Sequence, residues 1–148
     1  MIKLGKLTDY AVVILGQLAK EGEKVSRSAH YLSGKTGVPE PTVAKVLKSL
    51  AKEKFVVSLR GSAGGYTLAR PAEQISLAEI ITALDGPIRI VSCVNGRAED
   101  CKTQAICPVK GNWDNVNTVI RQALDSVKLS GMITTSCGQT HDFIRSAG

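Results

Sequence analysis

The sequence predicts a mainly α-helical fold with one small β-hairpin and a long C-terminal helix. Three observations carry that expectation. Apolar residues recur at three- and four-residue spacing through most of the chain. A β-branched run at Phe55–Leu59 and a shorter one at Tyr66–Leu68 flank the glycine-laden turn RGSAGG, which reads as a hairpin. Gly and Pro punctuate the boundaries between the helical stretches.

Leu7, Ala11, Ile14, Leu15 and Leu18 predict a first helix that stops near Gly22. Ser26 is read as the cap of a second helix, which runs through Ala29, Leu32 and Ser33 to Gly37. A third starts around Pro39–Thr42, where proline costs nothing because a first-turn N–H has no helical partner. It continues through Val43, Val46, Leu47 and Leu50. Two helices joined by a short glycine turn, with Val38 plugging the corner, form a helix-turn-helix, and the hairpin after them is a wing. Ser76-Leu77-Ala78-Glu79 is a capping box that opens a fourth helix ending at Asp85-Gly86-Pro87. The last helix begins near Asn112. Its stripe of Trp113, Val116, Ile120, Ala123, Leu124 and Val127 gives an apolar face, with Trp113 expected to anchor it on the core. From Ser130 the chain is polar and reads as a frayed tail.

The 148 residues are 43% hydrophobic, enough for a packed core, and no apolar run approaches the ~20 residues of a membrane span. The N-terminus lacks a signal-peptide cleavage pattern, so the cytoplasm is expected. The net charge of +6 is unevenly spread. Residues 1–70 hold 12 Lys/Arg against 5 Asp/Glu, whereas residues 71–148 hold 7 against 8. A basic N-terminal half suggests a polyanion partner, although a solvated Lys-rich surface gives the same charge; joined to the helix-turn-helix and wing, it points to double-stranded DNA. In a helix-turn-helix the start of the second helix reads base edges, which nominates Glu40, Pro41, Thr42 and Lys45. Arg27, Ser28, Lys35 and Lys48 are candidates for phosphate contacts, and Arg60 at the wing turn for the minor groove. The glycines of the turn are no nucleotide cradle, because they join strand to strand without GK[ST]. No nucleophile with an orienting base and no paired carboxylates are evident, so an enzyme is not expected.

Three of the four cysteines crowd into the loop SCVNGRAEDCKTQAICPVKGNW. The spacing Cys93-x7-Cys101-x5-Cys107 matches neither paired zinc knuckles nor a ferredoxin run. Metal binding and a metal-free thiol/disulfide switch both remain open at this point. Cys137 and His141 lie alone in the tail, and His30 reads as a surface or packing histidine.

Together TDYAV, GVPEPTVAKVLKSL, RGSAGGYTLARP, SLAEIITALDGP and three cysteines before a long helix resemble the iron–sulfur-dependent winged-helix regulators that include IscR, NsrR and RirA. The resemblance covers residues 1–130 and, through CPVKGNW, is nearest the regulators of SUF-type cluster assembly. It implies a homodimer joined by C-terminal dimerisation helices, acting as a DNA-binding repressor that controls cluster-assembly genes. It also implies one iron–sulfur cluster, [2Fe–2S] or [4Fe–4S], per subunit. Cys93, Cys101 and Cys107 match the family's three cysteine ligands. Lys110 stands where IscR-like members carry a histidine ligand, and Asp9 matches the aspartate that NsrR-like members supply from the partner subunit. A carboxylate in a first helical turn is also favoured by the helix dipole, so either role fits Asp9. The expected organisation is a winged helix-turn-helix over 1–88, a cysteine sensor loop over 89–111, a dimerisation helix over 112–130 and a flexible tail over 131–148.

Overall fold

The computed structural model describes residues 3–62, 64–94 and 104–133. Helix α1 (Lys6–Glu21) is followed by α2 (Ala29–Thr36) and α3 (Glu40–Lys52). Strands β1 (Val56–Leu59) and β2 (Gly65–Leu68) pair antiparallel, and α4 (Leu77–Asp85), α5 (Asn112–Ser126) and α6 (Leu129–Met132) complete the chain. The fold is mostly helical with a two-stranded wing, as the periodicities predict.

The inward stripe of α1 is Thr8, Ala11, Ile14, Leu15 and Leu18. Leu7, which the spacing groups with this stripe, is 42% exposed, because the stripe continues one residue later, through Thr8. Gly22 closes the helix at φ 108°, a conformation that costs glycine least. The cap of α2 is Ser28, not Ser26: the Ser28 hydroxyl accepts from Tyr31 N–H at 3.1 Å. Gly37 then turns left-handed at φ 74° and sends Val38 into the core, which fixes the angle between α2 and α3. Pro41 sits in the first turn of α3, whose Val43, Val46, Leu47 and Leu50 are buried against α1.

The hairpin register runs from Val56↔Leu68 to Leu59↔Gly65. An antiparallel bridge between Arg27 and Tyr66 adds the α1–α2 link as a third short edge. Gly65 permits this close approach, since a Cβ there would lie 2.5 Å from the Arg27 carbonyl oxygen. The capping box of α4 forms as expected: Ser76 Oγ accepts from Glu79 N–H at 3.2 Å, and the Glu79 carboxylate accepts from Ser76 N–H at 2.8 Å.

The last helix breaks where the stripe suggested continuity. α5 ends at Ser126; Val127 and Lys128 turn extended, and Val127 O and Leu129 N pair with Leu77 N and Ile75 O at 2.9 and 2.8 Å. Leu129 thereby enters the core formed by α1, α3 and α4, so the packed unit of the winged helix includes residues beyond α5. Residues 130–132 are helical, although their composition reads as a frayed tail. Cys137, His141 and the rest of the tail lie outside the described residues.

Candidate nucleic-acid interface and cysteine segment

The turn at Gly37–Pro39 presents the start of α3 outward. Glu40, Pro41, Lys45 and Lys48 are exposed and Thr42 is half-buried, on the side opposite the helix's apolar stripe. Lys35, in the last turn of α2, is exposed and stacks over the Tyr31 ring at 5.6 Å. Arg60 is exposed beside the hairpin turn. These cations and hydrogen-bonding groups lie on α3, on α2 before it and on the wing, the second and first helices of the helix-turn-helix and its hairpin.

Ser28, Arg27 and Glu40 among the nominated residues are already engaged within the protein. The Ser28 hydroxyl caps α2, though its own O–H remains able to donate. The Arg27 guanidinium lies against Glu21, with Nε and Nη2 at 3.0 and 2.8 Å from Glu21 Oε2. The other Glu21 oxygen accepts from Gln17 Nε2 at 2.8 Å and Tyr31 Oη at 3.0 Å. The Arg27 and then the Gln17 hydrogen bonds hold the Glu21 carboxyl below the usual range against the opposing effect of burial, and Tyr31 adds to them. His30 Nδ1 lies 2.9 Å from Glu40 Oε2, tying the first turn of α2 to that of α3. Sequence reasoning missed Glu21 and the His30–Glu40 contact, because neither has a spacing signature.

Beyond α4 the chain turns through residues 91–94, with Cys93 half-buried and Val94 buried. The segment before it is fastened to α5 by Asn117, which is 2% exposed. Asn117 Nδ2 donates to Ile88 O at 2.9 Å and Oδ1 accepts from Ile90 N at 3.2 Å, as a strand neighbour would. Cys107 is half-buried in the turn leading into α5, its carbonyl accepting from Lys110 N–H at 3.3 Å. Both sulfurs are unbridged thiols. Cys101 falls outside the described residues, and among those described no three His, Cys, Asp or Glu side chains gather into a metal site. Asp9 is exposed on the first turn of α1, and Lys110 is exposed.

Trp113 does not anchor α5. It is exposed together with Val116 and Val119, while Asn117, Ile120 and Leu124 face the body of the protein. The exposed apolar residues of α5 therefore continue around the helix from its inward stripe, and among the described residues nothing covers them.

The Rrf2 family, described as an iron-dependent transcriptional regulator, matches residues 4–135. An Rrf2-like HTH-type transcriptional regulator of Rhodobacter capsulatus is 29% identical over 131 residues, covering 84% of this chain and 87% of that protein. Among solved structures, T. potens IscR is similar at a TM-score of 0.67 and 27% identity, covering 88% of this chain and 85% of its own. CymR (YrzC), the global cysteine regulator of B. subtilis, is similar in fold at a TM-score of 0.73 and 24% identity, covering 93% and 100%.

Proposed function

The chain belongs to the Rrf2 family of transcriptional regulators, and from that premise we propose that it is a DNA-binding repressor whose operator affinity is set by an iron–sulfur cluster. Its genes would be those of cluster assembly, and its place of action the cytoplasm. Members of this family are transcriptional regulators, not enzymes, and no helix among the described residues is long and apolar enough to cross a membrane.

The observation that carries the cluster reading is that two unbridged, half-buried thiols are attached to one helix. Cys107 leads by chain into α5, and Cys93 follows a segment hydrogen-bonded to α5 by Asn117. Iron–sulfur clusters are held by cysteine thiolates, so the donor chemistry of these residues fits the group. In this reading Cys93, Cys101 and Cys107 hold the cluster, and Asp9 of a second copy supplies a further carboxylate. When bound, the cluster supplies a centre whose charge and stability respond to iron and oxidants. The protein's own part is to fix the thiols on α5 and to carry their arrangement to the winged helix through the Ile75–Leu77 and Val127–Leu129 pairing. Regulation then requires that the cluster-bound and cluster-free arrangements differ in DNA affinity.

The DNA side of the proposal uses Thr42 and Lys45, with Glu40 and Pro41, at base edges, Lys35 and Lys48 at phosphates and Arg60 in the minor groove. The outer face of α5 supports a homodimer, since contiguous exposed apolar residues on a helix mark an interaction surface. Residues 1–88, 89–111, 112–130 and 131–148 remain the proposed functional division, with Leu129 also serving the winged-helix core.

The test is anaerobic reconstitution with iron and sulfide. We expect visible absorbance that Cys101→Ala abolishes, and a gel shift of the gene's own upstream region that differs between holo and apo protein. Protein that stays colourless, yet binds DNA according to thiol oxidation, would instead establish the metal-free thiol switch. That second reading draws on the same free thiols and on Lys110 at the histidine position.

A further inference from the structure

Arg27 bears the charge of a phosphate contact but the surroundings of a structural clasp. Its guanidinium makes two bonds to Glu21 Oε2, and Nη1 lies 3.4 Å from the Ser26 carbonyl. It also stacks 4.7 Å from the Tyr31 ring centroid. The Glu21 side chain is only 13% exposed and Arg27 33%, and both Glu21 oxygens are fully engaged. A DNA phosphate approaching Arg27 would therefore meet a partly desolvated carboxylate. The backbone of Arg27 is meanwhile paired in both directions with Tyr66 of β2, at 2.9 and 2.8 Å. Glu21 is the last residue of α1, which packs on α3, so one side chain and one backbone join the recognition helix's support to the wing.

Resting on the DNA-binding reading above, we propose that Arg27 and Glu21 form a positioning pair that sets where the wing, and with it Arg60, meets DNA. Neither residue touches DNA in this account.

The two possible roles of Arg27 predict opposite signs at Glu21. Removing an anion from a DNA-facing surface strengthens binding by electrostatics alone, because the duplex is a polyanion. Loss of a positioning partner weakens it. Binding is measured by anisotropy on a labelled duplex enriched from a random-sequence pool by the wild-type chain. We expect Glu21→Ala and Arg27→Ala each to weaken binding by about tenfold, the scale of coupling within one hydrogen-bonded network. The double variant is no weaker than either single one. Arg60→Ala adds nothing further on the Glu21→Ala background, a dependence that a loss of stability alone does not produce. Arg27→Lys, which keeps the charge but not the paired geometry, behaves like Arg27→Ala. Tyr31→Phe, which removes a single bond to Glu21, weakens binding in the same direction and supplies a milder variant if the alanine forms do not fold. Tighter or unchanged binding by Glu21→Ala, or wild-type affinity in Arg27→Lys, overturns the positioning role, and weaker binding by Arg27→Ala alongside it makes Arg27 a direct contact. A wild-type chain that enriches no duplex overturns the DNA-binding reading itself.

Discussion

At the scale of single residues, Asn117 shows how a buried amide acts as a piece of backbone. It offers one donor and one acceptor to Ile88 and Ile90, and a partnerless polar group at that depth is costly. Asn117→Ala leaves that carbonyl and N–H without a partner, so the expected loss is about 1–3 kcal/mol, read as a lower midpoint in urea denaturation. Asn117→Asp keeps an acceptor for Ile90 N–H but turns a carboxylate oxygen toward the Ile88 carbonyl, and is expected to be at least as destabilising. Stability unchanged in both would remove Asn117 as the tether of the Cys93 segment. Nothing in the sequence announced this residue, because Ile88 and Asn117 come together only when α5 docks beside the end of α4. Arg27 is the converse case: its charge was legible, but its partner Glu21 was not.

Among the elements, α4 is specified most locally. Its capping box was readable from four consecutive residues, since a Ser–Glu spacing of three is set by helix geometry alone. Arg70 extends the box, donating to the Glu79 carboxylate at 3.0 Å and to the Gln74 carbonyl at 2.9 Å. Burial pushes the Glu79 carboxyl up, but the Ser76 backbone N–H and Arg70 outweigh it and hold it below the ordinary range. A carboxyl whose folded pKa is depressed contributes stability above its unfolded value and loses it as pH falls through the folded one. Wild-type stability is therefore expected to decline below the ordinary glutamate value of about 4.3, and more steeply than that of Glu79→Gln. Parallel curves for the two proteins would show that the box is not ion-assisted. The wing is specified almost as locally, by Gly65 and the β-branched run before the turn. Its third edge is not, because Arg27 lies far upstream of Tyr66 in the chain.

For the whole molecule, the proposed homodimer rests on the exposed apolar residues of α5. Val119 is 64% exposed in one chain, next to exposed Val116 and Trp113. If a second copy covers this face, Val119→Glu buries a charge there and shifts the protein toward monomer in sedimentation, while the winged-helix core stays folded. An unchanged sedimentation coefficient would move the dimer interface elsewhere. The helix-turn-helix, the wing, the α4 cap and the basic N-terminal half were all legible in the chain before any packing was known. Each of these is written in helical period, turn chemistry or composition within a short stretch of chain. Packing was needed to settle that Thr8 and not Leu7 faces inward, that Leu129 closes the core, that α5 leaves Trp113, Val116 and Val119 exposed, and that Arg27 is clasped by Glu21. Those outcomes depend on which surfaces meet across distant segments, and an apolar or charged residue reads the same in sequence whichever neighbour packing gives it.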